Sequence, residues 1–323
     1  MWVREEEFPR MAEYLVTGGA GFIGSNICEE LVARGREVRA VDDLSTGKIE
    51  NLDHIKDKVD FVECDVSDAA ALEKAMDGVS YVLHQAAIPS VPRSMKEPLK
   101  TNQANVIGTL TVLECARKLG VKRVVFASSS SVYGDSETLP KREDMPSAPK
   151  SPYAVTKAVG EEYCRLYTKV FGVPVVMLRY FNVFGPRQDE ASYYAGVICK
   201  FTSALLDGRK VTVYGDGEQS RDFTYISNVV NANLSACTAG DAVGEVINIG
   251  GGSQTTINEL VAILSEITGV KAHVDHLDPQ PGDVRHSLAS IEKAQKLLGF
   301  ELRVGLREGF EKTVKWYAAA AKS

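Results

Sequence analysis

Apolar residues fall into short runs separated by stretches where they recur at helical spacing. Residues 14–17 form the first run, a strand candidate, followed by GGAGFIG and a helical pattern through about residue 34 with Ile27 and Leu31 on one face. Further strands are predicted at 38–41, 61–62, 81–84 and 124–127, with a helix over 70–76 and helical spacing over 102–119. Strands and helices alternating in this rhythm imply right-handed crossovers and a parallel sheet covered on both faces. The first half is therefore expected to be an open, doubly wound α/β domain.

Pro146, Pro149 and Pro152 mark a loop before a helix over 153–170, after which 175–179 resumes the sheet. Beyond 179 the rhythm loosens. Helices are predicted near 197–206, 226–239, 258–268 and 305–320, and strands at 211–214 and 246–249. The expected division is a nucleotide-binding domain over 11–180, to which 223–250 returns, and a smaller C-terminal α/β substrate domain over 181–222 and 251–323. The strand at 246–249 is expected to rejoin the main sheet.

Composition narrows the function classes. The apolar fraction of 44% and charged fraction of 25% are those of a soluble globular protein. A net charge of -6 with no long basic block excludes nucleic acid as an expected partner, while a local basic cluster remains able to hold a small dianion. No run approaches the roughly 18 apolar residues that a membrane span requires. Six scattered cysteines without a C-x-x-C pair read as free thiols of a reducing compartment, so a cytoplasmic location is expected. Residues 1–10, before Met11, read as an extension or as a consequence of start-site choice. His273 and His276 lack a persuasive third ligand, so no metal site is expected.

Gly18, Gly21 and Gly24 form G-x-x-G-x-x-G between strand and helix. Such glycines allow a tight turn, close approach of backbone to a pyrophosphate, and close helix-to-sheet packing. Ordinary glycine-rich turns share the spacing, but here the strand at 38–41 runs into Asp42, about 20 residues downstream, where the dinucleotide fingerprint places an acid. A carboxylate there accepts the adenosine ribose hydroxyls and repels the extra phosphate of NADP. NAD is the expected cofactor, on a Rossmann-type sheet. Asp43 belongs either to this site or to the surface, and Asp65 either meets the adenine edge or caps a helix. No Walker arrangement G-x-x-x-x-G-K-[ST] is present, which argues against a nucleotide triphosphatase.

Tyr153 and Lys157 lie four apart at a helix start and share one face. An ammonium so placed is expected to lower the phenol from about 10 toward the range useful in acid–base catalysis, although surface pairs share this spacing. Ser128 to Ser131 form a hydroxyl run at the carboxyl edge of the sheet, where open α/β folds bind ligands. One such hydroxyl suits a substrate oxygen, and others suit caps or turns. No G-x-S-x-G elbow surrounds them, which disfavours a serine hydrolase. His84 reads as core or loop lining rather than as a base.

Together GGAGFIG, SSSSVYG, Tyr153-x-x-x-Lys157 and RYFNVFGPR closely resemble the extended short-chain dehydrogenase/reductase family, over residues 12–320. Within that family the chain resembles the 4-epimerases of UDP-glucose and UDP-N-acetylglucosamine. The resemblance implies a tightly held NAD that takes hydride from sugar C4 while the tyrosine removes the 4-hydroxyl proton. The 4-keto sugar then turns, and hydride returns to its other face. Ser129, Tyr153 and Lys157 are the implied catalytic residues. Around the cofactor the resemblance places Gly18, Gly21, Phe22, Ile23, Gly24, Asp42, Asp43, Ser45, Gly47, Asp65, Val66, Ala86, Ala87 and Asn105, besides Tyr153 and Lys157. Around the substrate it places Ser90, Arg93, Ser129, Ser130, Ser131, Asn182, Arg221, Arg285 and Ser287. Arg221 and Arg285 match a diphosphate clamp; guanidinium forks suit phosphate oxygens, though single arginines also form surface salt bridges. A homodimer built on the helices at 102–119 and 153–170 is implied as well.

Ser130 and Ser131 stand where the 4,6-dehydratases of this family carry an acidic pair, which disfavours that branch. Ser287, in GDVRHS, stands where 4-epimerases line the pocket at sugar C2, and a small side chain leaves room for an N-acetyl group. SVPRS, Ser90 to Ser94, resembles the subgroup acting on N-acetylated hexoses; Arg93 either reaches the sugar or positions the loop. Tyr194 and Cys199 depart from the family pattern and leave pocket shape open. The alternatives are a UDP-glucuronate 4-epimerase or decarboxylase, with Arg93 facing the C6 carboxylate, a dehydrogenase exchanging free NAD, and a non-catalytic NAD-binding regulator.

Overall fold

The computed structural model describes residues 12–189, 196–278 and 285–320. Neighbouring residues of the central strands feed opposite cores: Leu15 and Val16, Val124 and Val125, and Val175 and Val176 each split between two apolar clusters. Strands that read as unbroken apolar runs are thus buried on both faces.

The first half runs β1 (Tyr14–Thr17), α1 (Phe22–Ala33), β2 (Val38–Asp42), β3 (Val59–Glu63), α2 (Ala69–Met76), β4 (Tyr81–His84), α3 (Val91–Lys96), α4 (Pro98–Asn102), α5 (Gly108–Leu119), β5 (Arg123–Ser129), α6 (Pro152–Phe171) and β6 (Val175–Tyr180). The second half runs β7 (Val183–Phe184), α7 (Val197–Leu206), β8 (Val211–Tyr214), β9 (Ser220–Arg221), β10 (Thr224–Tyr225), α8 (Ile226–Thr238), β11 (Val246–Ile249), β12 (Thr255–Thr256), α9 (Ile257–Thr268), β13 (Val274–Leu277), α10 (Glu292–Leu298) and α11 (Leu306–Ala320).

Seven strands form one parallel sheet in the order β3-β2-β1-β4-β5-β6-β11. The strand at 246–249 does rejoin it, with Val246 opposite Met177. Winding reverses between β1 and β4, so a crevice opens beyond their carboxyl ends, the place where such sheets bind nucleotides. The helix ends follow local rules. Asp68 caps α2, Ser151 caps α6 with Pro152 in its first turn, Thr256 and Glu259 form a capping box on α9, and Gly172 ends α6 at φ 70.

The pattern at 102–119 is not one helix. It begins earlier, at Pro98, and a π-helical turn over Gln103–Ile107 separates α4 from α5. Spacing by threes and fours survives such an insertion, so sequence periodicity misses it. The short α3, α4 and α10 were not expected either, since five to seven residues offer too few turns for a stripe. In β13 all four residues are exposed, so no alternation marks it as a strand.

Candidate active site

The glycine run closes backbone on backbone. Gly18 has φ 65, and a Cβ on it would lie 2.8 Å from Ala86 N; a Cβ on Gly24 would lie 2.0 Å from the Gly18 carbonyl oxygen. Gly19, which the spacing did not single out, is equally constrained, with its would-be Cβ 2.7 Å from Ala40 Cβ. α1 starts at Gly21 without a side-chain cap and without an acid in its first turn. Its opening amides, around Phe22 and Ile23, are thus left for an anion.

Asp42 is 6% exposed and accepts Ala20 N at 3.0 Å and Leu44 N at 2.9 Å. Burial raises its carboxyl pKa while these N–H groups pull it down. A Cβ on Gly47 would come 2.7 Å from the same carboxylate, which explains glycine there. Asp43 is exposed and accepts both Ser45 N (3.0 Å) and Ser45 Oγ (2.7 Å), a local turn rather than a buried contact. Asp65 does not cap the following helix. Asp68 does, and Asp65 accepts Ser67 N at 2.8 Å in an exposed turn. Val66 is buried beside Gly108. Ala86 N donates to Thr17 Oγ1 at 3.2 Å, with Ala87 next to it past the end of β4.

These residues fit NAD. Glycine backbone and the α1 amides would hold the pyrophosphate, Asp42 a ribose, and Asp65 and Val66 the adenine side. Asn105 sits on the π-helical turn with its amide engaged inside the protein, accepting Ile88 N at 2.8 Å and donating to Thr156 Oγ1 at 3.0 Å. It ties the loop after β4 to α6.

The four serines of the hydroxyl run stand in different surroundings. Ser129 stands near enough to the Tyr153 hydroxyl to lower its pKa, and it accepts Ser131 N at 3.2 Å. Ser128 donates to Glu161 at 2.5 Å. Ser130 opens a 3-10 turn, and Ser131 Oγ is buried with no hydrogen-bond partner among the described residues. Only Ser129 meets the tyrosine.

Burial raises the Tyr153 phenol, and Ser129 pulls it back down. Here the sequence expectation needs correction, because Lys157 is not among the groups that lower it. The Lys157 ammonium donates to the Ala127 carbonyl at 2.7 Å and lies 5.1 Å from the Phe126 ring centre. Burial pushes that ammonium down to about 8, opposed by Cys164 and Glu161. Shared helical face fixed where Lys157 starts, but not where its long side chain ends. His84 is core: it bonds Thr17 Oγ1 (2.7 Å) and Thr109 Oγ1 (3.0 Å), and burial pushes it down to about 3, so it stays neutral.

Further along α6 lies a buried ion pair that sequence reading missed. Glu161, 1% exposed, accepts Arg179 Nε at 2.8 Å and Nη2 at 2.7 Å. Removing one partner from such a pair costs about 3–5 kcal/mol, because the other charge stays buried.

On the substrate side a cavity of about 390 Å³ lies beyond the end of β6, lined among others by Asn182, Phe201, Gln219, Arg221 and Phe223. Asn182 has φ 31, strained for a non-glycine residue, and donates to the Asp222 carbonyl at 2.8 Å. Ser287 Oγ lies 3.4 Å from Asn182 Nδ2 and accepts Asp222 N at 3.2 Å. Asp222, unforeseen in the sequence, gathers these loops: its carboxylate accepts Gly251 N (2.6 Å), Gly252 N (3.2 Å) and Ala289 N (2.9 Å). Burial pushes it up to about 6 against those three donors.

Arg221 lines the cavity, whereas the exposed Arg285 forks onto Asp216 at 3.1 and 2.8 Å. The Arg221 guanidinium reaches the Arg285 carbonyl, its Nη1 donating at 3.3 Å. Ser90 is spent capping α3, accepting Arg93 N at 3.1 Å, and Arg93 Nε pairs with Glu97 at 3.0 Å. Cys199 is buried in the first turn of α7 and donates to Gly196 O at 2.9 Å, while Tyr194 lies outside the described residues.

A profile of the NAD dependent epimerase/dehydratase family matches residues 14–250. The chain belongs to that family. It is accordingly an NAD-dependent enzyme, and its crevice residues match that role. Over 304 residues it is 40% identical to a putative UDP-glucose 4-epimerase of Methanocaldococcus jannaschii, covering 94% of this chain and 97% of that one. The solved structure of UDP-glucose 4-epimerase from Thermotoga maritima with UDP-glucose superposes with a TM-score of 0.91 at 40% identity, covering 95% of this chain and 99% of the other. UDP-N-acetylglucosamine 4-epimerase from Methanobrevibacter ruminantium, in complex with UDP-N-acetylmuramic acid, gives a TM-score of 0.91 at 41% identity, covering 96% and 99%.

Proposed function

We propose that this family member is a UDP-sugar 4-epimerase that prefers the UDP-N-acetylglucosamine and UDP-N-acetylgalactosamine pair and also accepts UDP-glucose and UDP-galactose. The observation that carries the reading is Tyr153 at the start of α6 with Ser129 close enough to lower its phenol, beside a crevice fit for NAD and with the small Ser287 next to Asn182. NAD, when bound, supplies the hydride acceptor and donor for sugar C4. Tyr153 takes the 4-hydroxyl proton and later returns it, while Ser129 holds the same oxygen in line. Asn182 and Arg221 hold the diphosphate in the region formed by 181–222 and 251–323. A sugar tethered through its nucleotide is left able to turn and present its other face.

UDP-glucuronate is the weaker reading. Its C6 carboxylate needs a cationic or hydrogen-bonding partner, and Arg93 is already paired with Glu97. The test is a panel of UDP-glucose, UDP-galactose, their N-acetylamino forms and UDP-glucuronate, compared by kcat/KM. The N-acetylated pair is expected to rank first. A first rank for UDP-glucuronate would overturn the substrate assignment, and no epimerisation of any of them, with no sugar-dependent absorbance of bound NADH, would favour a regulator.

The reading includes a homodimer in the cytoplasm. Met95, Leu99, Val155, Leu166, Val170 and Phe171 are exposed on the adjoining α3, α4 and α6, Leu99 at 85%, an apolar face suited to a second copy. All six cysteines are free, as a reducing compartment allows. Among the described residues no helix is long and apolar enough to cross a membrane. Sedimentation should give a dimer for the wild type and a monomer for Leu99→Glu with Leu166→Glu. A wild-type monomer at micromolar concentration would contradict the assignment.

A further inference from the structure

Three consecutive residues at the end of β5 face α6. Ala127 accepts the Lys157 ammonium, Ser128 donates to Glu161, and Ser129 stands beside the Tyr153 hydroxyl, whose pKa it lowers. Tyr153, Lys157 and Glu161 follow one another at intervals of four along a single helix face. The outer two links hold catalytic groups, and the middle one touches no reacting atom. Glu161 is itself pinned by Arg179 from β6, whose guanidinium stacks 4.6 Å from the Tyr133 ring centre; Tyr133 in turn donates to Asn248 of β11 at 2.7 Å. A carboxylate buried this deeply has no solvation role, and besides Arg165 of its own helix, at 3.2 Å, its partners come from two different strands.

We propose that Glu161 is a positioning residue of the catalytic site: anchored on Arg179, it accepts Ser128 and so fixes the register of α6 against the strand end that carries Ser129. Losing the middle link lets the end of β5 shift relative to the helix, which lengthens the Ser129–Tyr153 contact. The electrostatics point the same way. The titratable groups around Lys157 and Glu161 are Cys164 and Arg165 on α6, His84 on β4, and Arg179 on β6 with Tyr133 against it. Of these, Glu161 and Cys164 favour the Lys157 ammonium against burial, and Ser129 lowers the phenol. Breaking the Ser128 link weakens the second effect, and neutralising Glu161 also loosens its grip on Arg179, so the strand end shifts further.

The inference rests on the catalytic roles given above to Tyr153 and Ser129, and its test includes a readout that needs no substrate. In NAD-loaded protein, the phenolate absorbance of Tyr153 is isolated as the difference between each variant and the same variant carrying Tyr153→Phe. Ser128→Ala leaves the Glu161–Arg179 pair whole and is expected to fold. It should raise the Tyr153 midpoint by about half a pH unit and lower kcat about tenfold, with KM for the UDP-sugar within about twofold. Glu161→Gln should move both further in the same direction, by about one unit and about thirtyfold. If Glu161→Gln does not fold, Ser128→Ala alone decides. A Tyr153 midpoint and kcat in Ser128→Ala equal to wild type would overturn the proposal. If the wild type epimerises no UDP-sugar, the functional reading fails, yet the phenolate midpoints still judge the positioning role.

Discussion

Tyr153→Phe is expected to lower turnover by about two to four orders of magnitude while fold and NAD content stay at wild-type levels. Ser129 stands beside the hydroxyl and lowers it, and the half-buried ring keeps its place at the start of α6, capped by Ser151. Phenylalanine therefore removes one proton carrier and little else. Burial alone holds the phenol above its ordinary range, so this group needs its neighbours to work near neutrality. Epimerisation rate and NAD stoichiometry, measured on the same preparation, check the claim. Activity near wild type with NAD retained would mean that another group moves the proton.

Ser287→Tyr is expected to lower kcat/KM for N-acetylhexosamine substrates about a hundredfold, and for plain hexoses less than about tenfold. Ser287 is half-buried beside Asn182 and Asp222, and a phenol there fills the space that an acetamido group would enter. Losing the hydroxyl that accepts Asp222 N disturbs both substrate classes alike, so the diagnostic is the difference between them. Equal losses on both would remove Ser287 from the specificity assignment.

The parts of this site that sequence discloses are the local ones. A glycine at φ 65 facing Ala86, an acid at the end of β2, and a tyrosine and lysine one turn apart are all set by spacing along the chain. What escaped notice depends on partners from elsewhere. Glu161 extends the Tyr153–Lys157 face by another turn, but its meaning comes from Ser128 and Arg179 on two strands. Lys157 was expected to act on the phenol, and only the fold shows its ammonium drawn to the Ala127 carbonyl. By motif Ser90 reads as a sugar contact and Arg93 as either a sugar contact or a loop anchor, and only the fold shows the first accepting Arg93 N as a helix cap and the second paired with Glu97. Asp222 stands next to Arg221 in the chain, and nothing there announces that it gathers Gly251, Gly252 and Ala289. The fold followed the same division: the buried parallel strands carried a strong apolar signal, whereas the exposed β13 and the π-helical turn did not.

The claim on which the rest depends is that hydrogen leaves sugar C4 as hydride, stays within the enzyme, and returns to the same carbon while Tyr153 handles the proton. UDP-N-acetylglucosamine carrying deuterium at C4, incubated with the enzyme in ordinary water, tests it most directly. The account predicts that the N-acetylgalactosamine epimer retains the deuterium at C4. Epimer formed with that deuterium replaced by solvent hydrogen would contradict it.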